Sequence, residues 1–338
     1  MKNKLKGSNV VITGADGFIG SHLTEALAYM GCNVTAYVMY NSLNSWGWLD
    51  TINKNTLKNI KVVSGDIRDP RSVNQLCKKS DYIFHLASLI AIPYSYVSPY
   101  SYLETNALGT LNILEYCREN GIKQLIHTST SEVYGDSDVM PINEKTPVIA
   151  KSPYAATKIA ADQLAYSYFS SYDVPVSIIR PFNTFGPRQS NRAIIPTIIT
   201  QLLNNKKSIR LGSLYPARDF VYIKDTVKGF VSVASNTNSI GAVINIGSGY
   251  EISIGDLYNL IQYIIKSDTK IVQEKSRIRP KEGEVNRLKA DNKKAKKIVG
   301  WSPEYYGKNG LKKALKETIK WFDDKDNLKL YKSDLHNI

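Results

Sequence analysis

The apolar run Asn9-Val10-Val11-Ile12-Thr13 passes directly into Gly14-Ala15-Asp16-Gly17-Phe18-Ile19-Gly20, and a helical stretch continues as far as Tyr29. Nothing else in the chain restricts its fold as much. Glycines at every third position between a strand and a helix let the backbone approach a pyrophosphate, which then rests on the helix N-terminus. A tight turn without a ligand would use the same residue type, so the motif gains its weight from the pattern of the rest of the chain. Strand-like runs recur at residues 33–38, 60–64, 82–86, 124–128, 176–180 and 242–246, and helical patterns at 72–79, 100–120 and 154–171 separate most of them. Strands alternating with helices predict an α/β chain built on a doubly wound parallel sheet. Gly31 and Gly121 stand where helix C-caps are expected.

After Arg180 the rhythm changes. Pro181, Pro187, Pro196 and Pro216 interrupt the chain, and the helical run 194–203 stands alone. The expected organisation is a Rossmann-type NAD(P)-binding domain over residues 1–185, its sheet completed by about 220–247. A smaller substrate-binding part would take 186–219 and 248–338, with helices near 254–266 and 311–322.

Net charge narrows the partners. The chain carries +14, yet the lysines are spread, with one cluster at Lys293, Lys294, Lys296 and Lys297. No helix-turn-helix, finger or RNA-binding signature accompanies them, so the expectation is a solvated basic face and no nucleic acid. Cys32, Cys77 and Cys117 are odd in number, widely spaced and unaccompanied by histidine clusters, which suits a reduced cytoplasmic location and neither a disulfide framework nor a metal site. No secretory leader is expected. The most apolar window, 82–97, is broken by His85 and Pro93, so no membrane span is expected either.

The acid that usually follows the second strand and grips a ribose 2′-hydroxyl is missing. Val38-Met39-Tyr40-Asn41-Ser42 occupies that place, and the next acid is Asp50. No arginine is there to bind a 2′-phosphate, while Tyr40, Asn41 and Ser42 can donate hydrogen bonds to either form, so NAD and NADP both stay open. Asp66, in Gly65-Asp66-Ile67, ends the third strand where an adenine amino group could be met; a simple turn cap is the alternative.

Beyond the strand 124–128 lies Ser129-Thr130-Ser131-Glu132-Val133-Tyr134-Gly135. In an open α/β sheet, ligands bind past the carboxyl ends of the strands, so these hydroxyls and the carboxylate should face a substrate. Downstream, Tyr154 and Lys158 stand one helical turn apart, behind Pro153 at the helix start. A nearby ammonium stabilises a phenolate and lowers the tyrosine pKa, making it a usable base toward a sugar hydroxyl.

With these features in place the chain resembles the extended short-chain dehydrogenase/reductase family over nearly its whole length. The resemblance is carried by Gly14 to Gly20, Asp66, His85-Leu86-Ala87, Asn106 and the Tyr154/Lys158 pair. It extends through Arg180-Pro181-Phe182-Asn183-Thr184-Phe185-Gly186-Pro187-Arg188, Arg218-Asp219-Phe220, and Asp291 with Gly300-Trp301-Ser302-Pro303. Members act on nucleotide-diphosphate sugars. Within the family, epimerases typically place Ser-Ser-Ala or Ser-Ser-Ser before Val-Tyr-Gly. Nucleotide-sugar 4,6-dehydratases carry Thr-Asp-Glu, or Thr-Ser-Glu in the GDP-mannose type, and here the triplet is Thr130-Ser131-Glu132. Once hydride has left C4, the C5 proton lies beside a ketone and a carboxylate can remove it, while the C6 hydroxyl needs a proton to depart as water. Glu132 is therefore expected as the base at C5, Ser131 as the aid to water loss, and Thr130 as the residue that holds the C4 hydroxyl beside Tyr154.

Three longer strings, 40–50, 90–96 and 193–201, resemble bacterial N-acetylglucosamine-nucleotide 4,6-dehydratases that feed legionaminic and related nonulosonic acids. That likeness implies a UDP- or GDP-linked N-acetylglucosamine substrate. The resemblance further implies cofactor contacts at Gly14, Asp16, Gly17, Phe18, Ile19, Gly20, Tyr40, Asn41, Ser42, Asp66, Ile67, Leu86, Ala87, Ser88, Thr128, Tyr154, Lys158, Pro181 and Asn183. Substrate contacts are implied at Tyr94, Ser129, Asn183, Arg188, Ile195, Arg218 and Arg279, where guanidinium forks suit a diphosphate. Helices 100–120 and 154–171 match those that pair in family homodimers. The alternatives are a 4-epimerase or reductase of the same fold, and a nucleotide-binding regulator that has lost the chemistry.

Overall fold

The computed structural model describes residues 4–204 and 207–332. The four middle strands of its central sheet, β1 (Asn9–Thr13), β4 (Tyr82–His85), β5 (Gln124–Thr128) and β6 (Val176–Pro181), are buried almost end to end. Parallel strands covered by helices on both faces read as such apolar blocks. β2 (Asn33–Met39) and β3 (Ile60–Gly65) extend the sheet on one side and β10 (Val243–Ile246) closes the other, in the order β10-β6-β5-β4-β1-β2-β3 with every pairing parallel. The chain builds outward in opposite directions from β1 and β4, so the strand order reverses between them. Ligands of such sheets sit in the crevice at that reversal. Here it falls where Thr13 pairs with His85, with Gly14 and Leu86 next along the chain.

One expectation changes. Residues 220–247 do not all return to the central sheet: β9 (Ala217–Tyr222) lies in a second, four-stranded sheet with β7 (Asn183–Phe185), β11 (Glu251–Ser253) and β13 (Arg287–Leu288). Only after the helix Ile223–Ala234 does β10 reach β6. The parallel pairing of β10 with β6 needs a long crossover, and β7, β9 and this helix are built within it. The strands β8 (Ser208–Leu211) and β12 (Lys270–Gln273) pair by themselves. One hydrophobic core runs without a break from Val10 and Leu23 beneath the sheet to Leu257, Leu315 and Phe322 of the later helices.

The helix expected over 100–120 is present but not uniform. Its middle, Leu103–Leu108, is a π-helical segment between Pro99–Tyr102 and Gly109–Asn120. Such wide turns commonly mark functional sites. This one aims Asn106 at Leu89, whose N–H it accepts at 2.8 Å, and at Thr157, to which it donates at 3.1 Å. The helix thereby ties the segment after β4 to the helix Pro153–Tyr172. No helix among the described residues is long and apolar enough to cross a membrane.

Candidate active site

The glycine turn is shaped for close approach. Gly14 has φ +68°, and a Cβ there would sit 2.8 Å from the Ala87 nitrogen; a Cβ on Gly20 would collide with the Gly14 carbonyl oxygen. Only glycine lets the first helix, α1 (Phe18–Tyr29), start hard against the end of β1. Its N-cap, Gly17, brings no side chain to the first turn, so the helix N-terminus faces the crevice as bare backbone. On the β4 side, Leu86 and Ala87 both donate their N–H to the Thr13 hydroxyl at 3.1 Å. A cradle of backbone at a helix N-terminus, opposite a second loop held this close, fits the pyrophosphate of a dinucleotide. Phe18 and Ile19 flank it half-buried, and burial raises the Asp16 carboxyl despite backbone hydrogen bonds.

The strand ends at the far side of this cradle are less committed. Asn41 is spent on its own turn, accepting from Leu43 N–H and donating to the Ser45 carbonyl, while Tyr40 and Ser42 are exposed. Asp66 shows the turn-cap geometry: it accepts from the Arg68 N–H at 2.9 Å and grips the Arg68 guanidinium at 2.6 Å, which holds its carboxyl below the usual range. Ile67 is buried, and the Ser88 hydroxyl donates to the Leu86 carbonyl.

β5 ends at Thr128, and the backbone tightens at once into a 3-10 turn, Ser131–Tyr134, capped by Thr130, whose hydroxyl accepts from the Glu132 N–H at 3.2 Å. The same hydroxyl lies near the Tyr154 phenol and favours its ionised form. Tyr154 and Lys158 come from the first turns of helix Pro153–Tyr172, started by Pro153 and by Ser152 accepting from Ala155. Thr130, Ser131, Glu132, Tyr154 and Lys158 thus converge, each no more than 9% exposed. Tyr94 joins them through a ladder of rings: it lies 6.2 Å from Tyr102, which lies 6.3 Å from Tyr154.

The electrostatics correct one expectation. The Tyr154 phenol is not lowered; burial pushes it up, and the Thr130 hydroxyl offsets this only in part. Lys158 turns its ammonium to the Thr128 carbonyl at 2.6 Å. Burial lowers Lys158 to about 8, with Asp162 acting the other way.

Asp162, one turn beyond Lys158, is the centre of a buried cluster that the sequence alone did not single out. It accepts from the Ser129 hydroxyl at 2.8 Å and from Arg180 at 2.9 Å, and His127 lies 3.2 Å away. The i, i+4 spacing from Lys158 was the available signal. Ser129, expected at the substrate, instead spends its hydroxyl on this carboxylate.

Two further residues expected at the substrate have their side chains engaged elsewhere in this structure. Arg188 pairs with Glu25 of α1 at 3.0 Å, its left-handed backbone (φ 68°) setting it beside that helix and away from the other arginines. Ile195, 1% exposed, packs its side chain into the core. Arg218 and Arg279, by contrast, are brought together. Both approach one oxygen of Glu284, at 3.2 and 3.8 Å, and Arg279 also lies 3.7 Å from Glu132. Glu284 was not anticipated. Asn183, on β7, keeps a buried side-chain oxygen without a hydrogen-bond partner, as a ligand-facing amide would.

This fold, with a bare glycine turn at the strand reversal and a Tyr-Lys pair beside a hydroxyl-rich turn after β5, defines an extended short-chain dehydrogenase/reductase. The family model described as GDP-mannose 4,6 dehydratase matches residues 11–314, and the chain belongs to that family. It is 32% identical over 323 residues to human dTDP-D-glucose 4,6-dehydratase, covering 93% of this chain and 89% of the relative. Among solved structures it is similar to UDP-N-acetylglucosamine 4-epimerase from Methanobrevibacter ruminantium in complex with UDP-N-acetylmuramic acid, with TM-score 0.83, 32% identity and 94% and 98% of the two chains covered. It is also similar to dTDP-glucose 4,6-dehydratase from Streptomyces venezuelae with NAD bound, with TM-score 0.82, 27% identity and 95% and 98% covered.

Proposed function

We propose that this protein is a nucleotide-sugar 4,6-dehydratase, a lyase with no net redox change, acting on UDP- or GDP-linked N-acetylglucosamine. The observation that carries the reading is Glu132, a buried carboxylate in the short turn capped by Thr130, whose hydroxyl lies near the Tyr154 phenol. An epimerase needs a base at C4 alone; a dehydratase needs a second one at C5. A nicotinamide cofactor, NAD or NADP, supplies hydride acceptance at C4 and hydride return at C6 when bound.

The chain's own residues divide the remaining work. Tyr154 takes the C4 hydroxyl proton as a phenolate, which the Lys158 ammonium stabilises, and Thr130 holds the hydroxyl in line. Glu132 removes the proton at C5, and the Ser131 hydroxyl assists the C6 oxygen as it leaves as water. Arg218 and Arg279 receive the diphosphate, with the Asn183 amide beside them. A second copy of the chain is expected across Leu108, at the end of the π-helical segment, and Tyr166 and Tyr172 of the helix Pro153–Tyr172, large side chains about half exposed.

Incubation with UDP- and GDP-N-acetylglucosamine, following product mass, tests the reading. Loss of one water without net cofactor turnover supports it. The 32% identity to a UDP-N-acetylglucosamine 4-epimerase favours the second reading, 4-epimerisation. Unchanged mass with altered C4 configuration would establish that one instead.

A further inference from the structure

Four charged groups of alternating sign cluster beside the turn after β5: Arg218 and Arg279, with Glu284 and Glu132 each facing both. The two arginines are not held alike. Arg218 is fastened, with Nη2 donating to Glu284 Oε1 at 3.2 Å and Nη1 donating to the Ala217 carbonyl at 3.0 Å. Arg279 is shared: its Nη1 stands 3.8 Å from that same Glu284 oxygen and 3.7 Å from Glu132 Oε2. Both distances exceed hydrogen-bond reach, and Nη1 is buried with no hydrogen-bond acceptor. A guanidinium so placed is balanced between two carboxylates and satisfied by neither. A diphosphate oxygen would offer it the hydrogen bond it lacks.

We propose that Glu284 is a positioning residue that keeps Arg279 exchangeable between Glu132 and the substrate diphosphate, so that seating the diphosphate releases Glu132 for its work at C5. The inference rests on the reading of Glu132 as the C5 base and of the two arginines as diphosphate ligands. Glu284 does this by drawing Arg279 toward Arg218 and away from Glu132. When the diphosphate takes both guanidinium groups, Glu132 stands free. The C5–H bond then breaks, its electron pair moves toward the C4 ketone, and the proton passes to Glu132. Without the Glu284 charge, Glu132 would be the sole carboxylate beside Arg279 and would stay paired.

Glu284→Gln should therefore raise KM and also slow the C5 step at saturating substrate, by about tenfold, so that reduced nicotinamide absorbance accumulates during turnover. Glu284→Asp should restore most of the loss. Arg279→Gln should split the two effects: KM up by about tenfold or more, with C5 proton exchange at saturation within about threefold of the parent, because the one charge then left beside Glu132, Arg218, is fastened to Glu284 and turned to the diphosphate. In the double variant the exchange lost in Glu284→Gln should return. If Glu284→Gln raised KM alone, or if Arg279→Gln stopped C5 exchange, the coupling would be overturned; Arg279→Gln decides the matter should Glu284→Gln fold poorly. Failure of the underlying reading looks different: Glu132→Gln would then exchange C5 protons at the parent rate, whatever Glu284 does.

Discussion

Lys158 donates its ammonium proton to the Thr128 carbonyl at 2.6 Å, tying the helix that carries Tyr154 to the last residue of β5. The bond fixes a charge deep in the protein next to the crevice at the ends of β1 and β4. Burial opposes that charge and lowers Lys158 to about 8. Below that value the ammonium is present to stabilise a Tyr154 phenolate; above it the ammonium is lost. kcat/KM is therefore expected to fall as pH rises through about 8, and a pH profile extending past 9 checks it.

The same residue links activity to stability. A lysine whose folded-state pKa is depressed favours unfolding while it is charged. The resulting loss is fully present below about 8 and fades as pH rises toward the unfolded value near 10.4. Lys158→Met should be inactive yet more stable at neutral pH by about 1–3 kcal/mol, since it removes a buried charge and keeps the volume. Denaturant midpoints of the two proteins at pH 7 and pH 10 measure it; the advantage should shrink at the higher pH.

Glu132→Gln separates binding from chemistry. The amide keeps the shape of the side chain, so cofactor and sugar binding should persist, while C5 proton exchange with solvent should fall by about 10²–10⁴-fold. Isotope incorporation at C5 is the measurement. Exchange at the parent rate would remove Glu132 from the role of base.

How much of this is legible in the sequence depends on the range of the interaction. β5 and the helix Pro153–Tyr172 are readable because an apolar block and a Pro-started helical repeat are local signals, and the Thr130–Glu132 triplet falls directly between them. The assignment of 220–222 to the main sheet failed because a short apolar run carries no mark of which sheet receives it. Side-chain partners were the least legible. Arg188 finds Glu25 163 residues away, and Arg218 finds Glu284 across 66. Nothing in the local string around Arg188 distinguishes an arginine that binds a diphosphate from one that pins a loop to α1. The lowering of Tyr154 was expected from spacing alone; the structure adds the burial that outweighs it.

Asp162 should prove structural first. Its carboxylate, 2% exposed, is the partner of Arg180, whose guanidinium also stacks 4.9 Å from the Tyr134 ring. Removing one member of a buried ion pair leaves the other uncompensated, so Asp162→Ala should cost about 3–5 kcal/mol in denaturant unfolding. Ser129→Ala removes only one of the hydrogen bonds to that carboxylate and should cost about 1 kcal/mol. A Ser129 variant with a raised KM and parent stability would instead restore it to the substrate site.

The loop after β2 is held over the glycine turn from outside. Trp48 donates its backbone N–H to the Asp16 carbonyl at 3.0 Å, and its ring lies 5.8 Å from Tyr331 and 5.9 Å from Trp321, both from the end of the described chain. The aromatic contacts press the loop onto the glycine turn proposed to hold the cofactor. Trp48→Ala would remove the ring that ties this half-buried cluster to the loop, and a loss of about 1–3 kcal/mol in stability is expected. Cofactor should then leave more readily, by about tenfold in dissociation rate, if the loop contributes near 1.4 kcal/mol to its retention. Tyr331→Phe is the control. The Tyr331 hydroxyl is buried with no hydrogen-bond partner, so its removal keeps the ring contact and relieves an unsatisfied polar group. That variant should match the parent in cofactor retention and equal or exceed it in stability. Cofactor remaining after gel filtration, read by absorbance, distinguishes the two, and equal retention by Trp48→Ala would show that the aromatic anchor has no part in holding the cofactor.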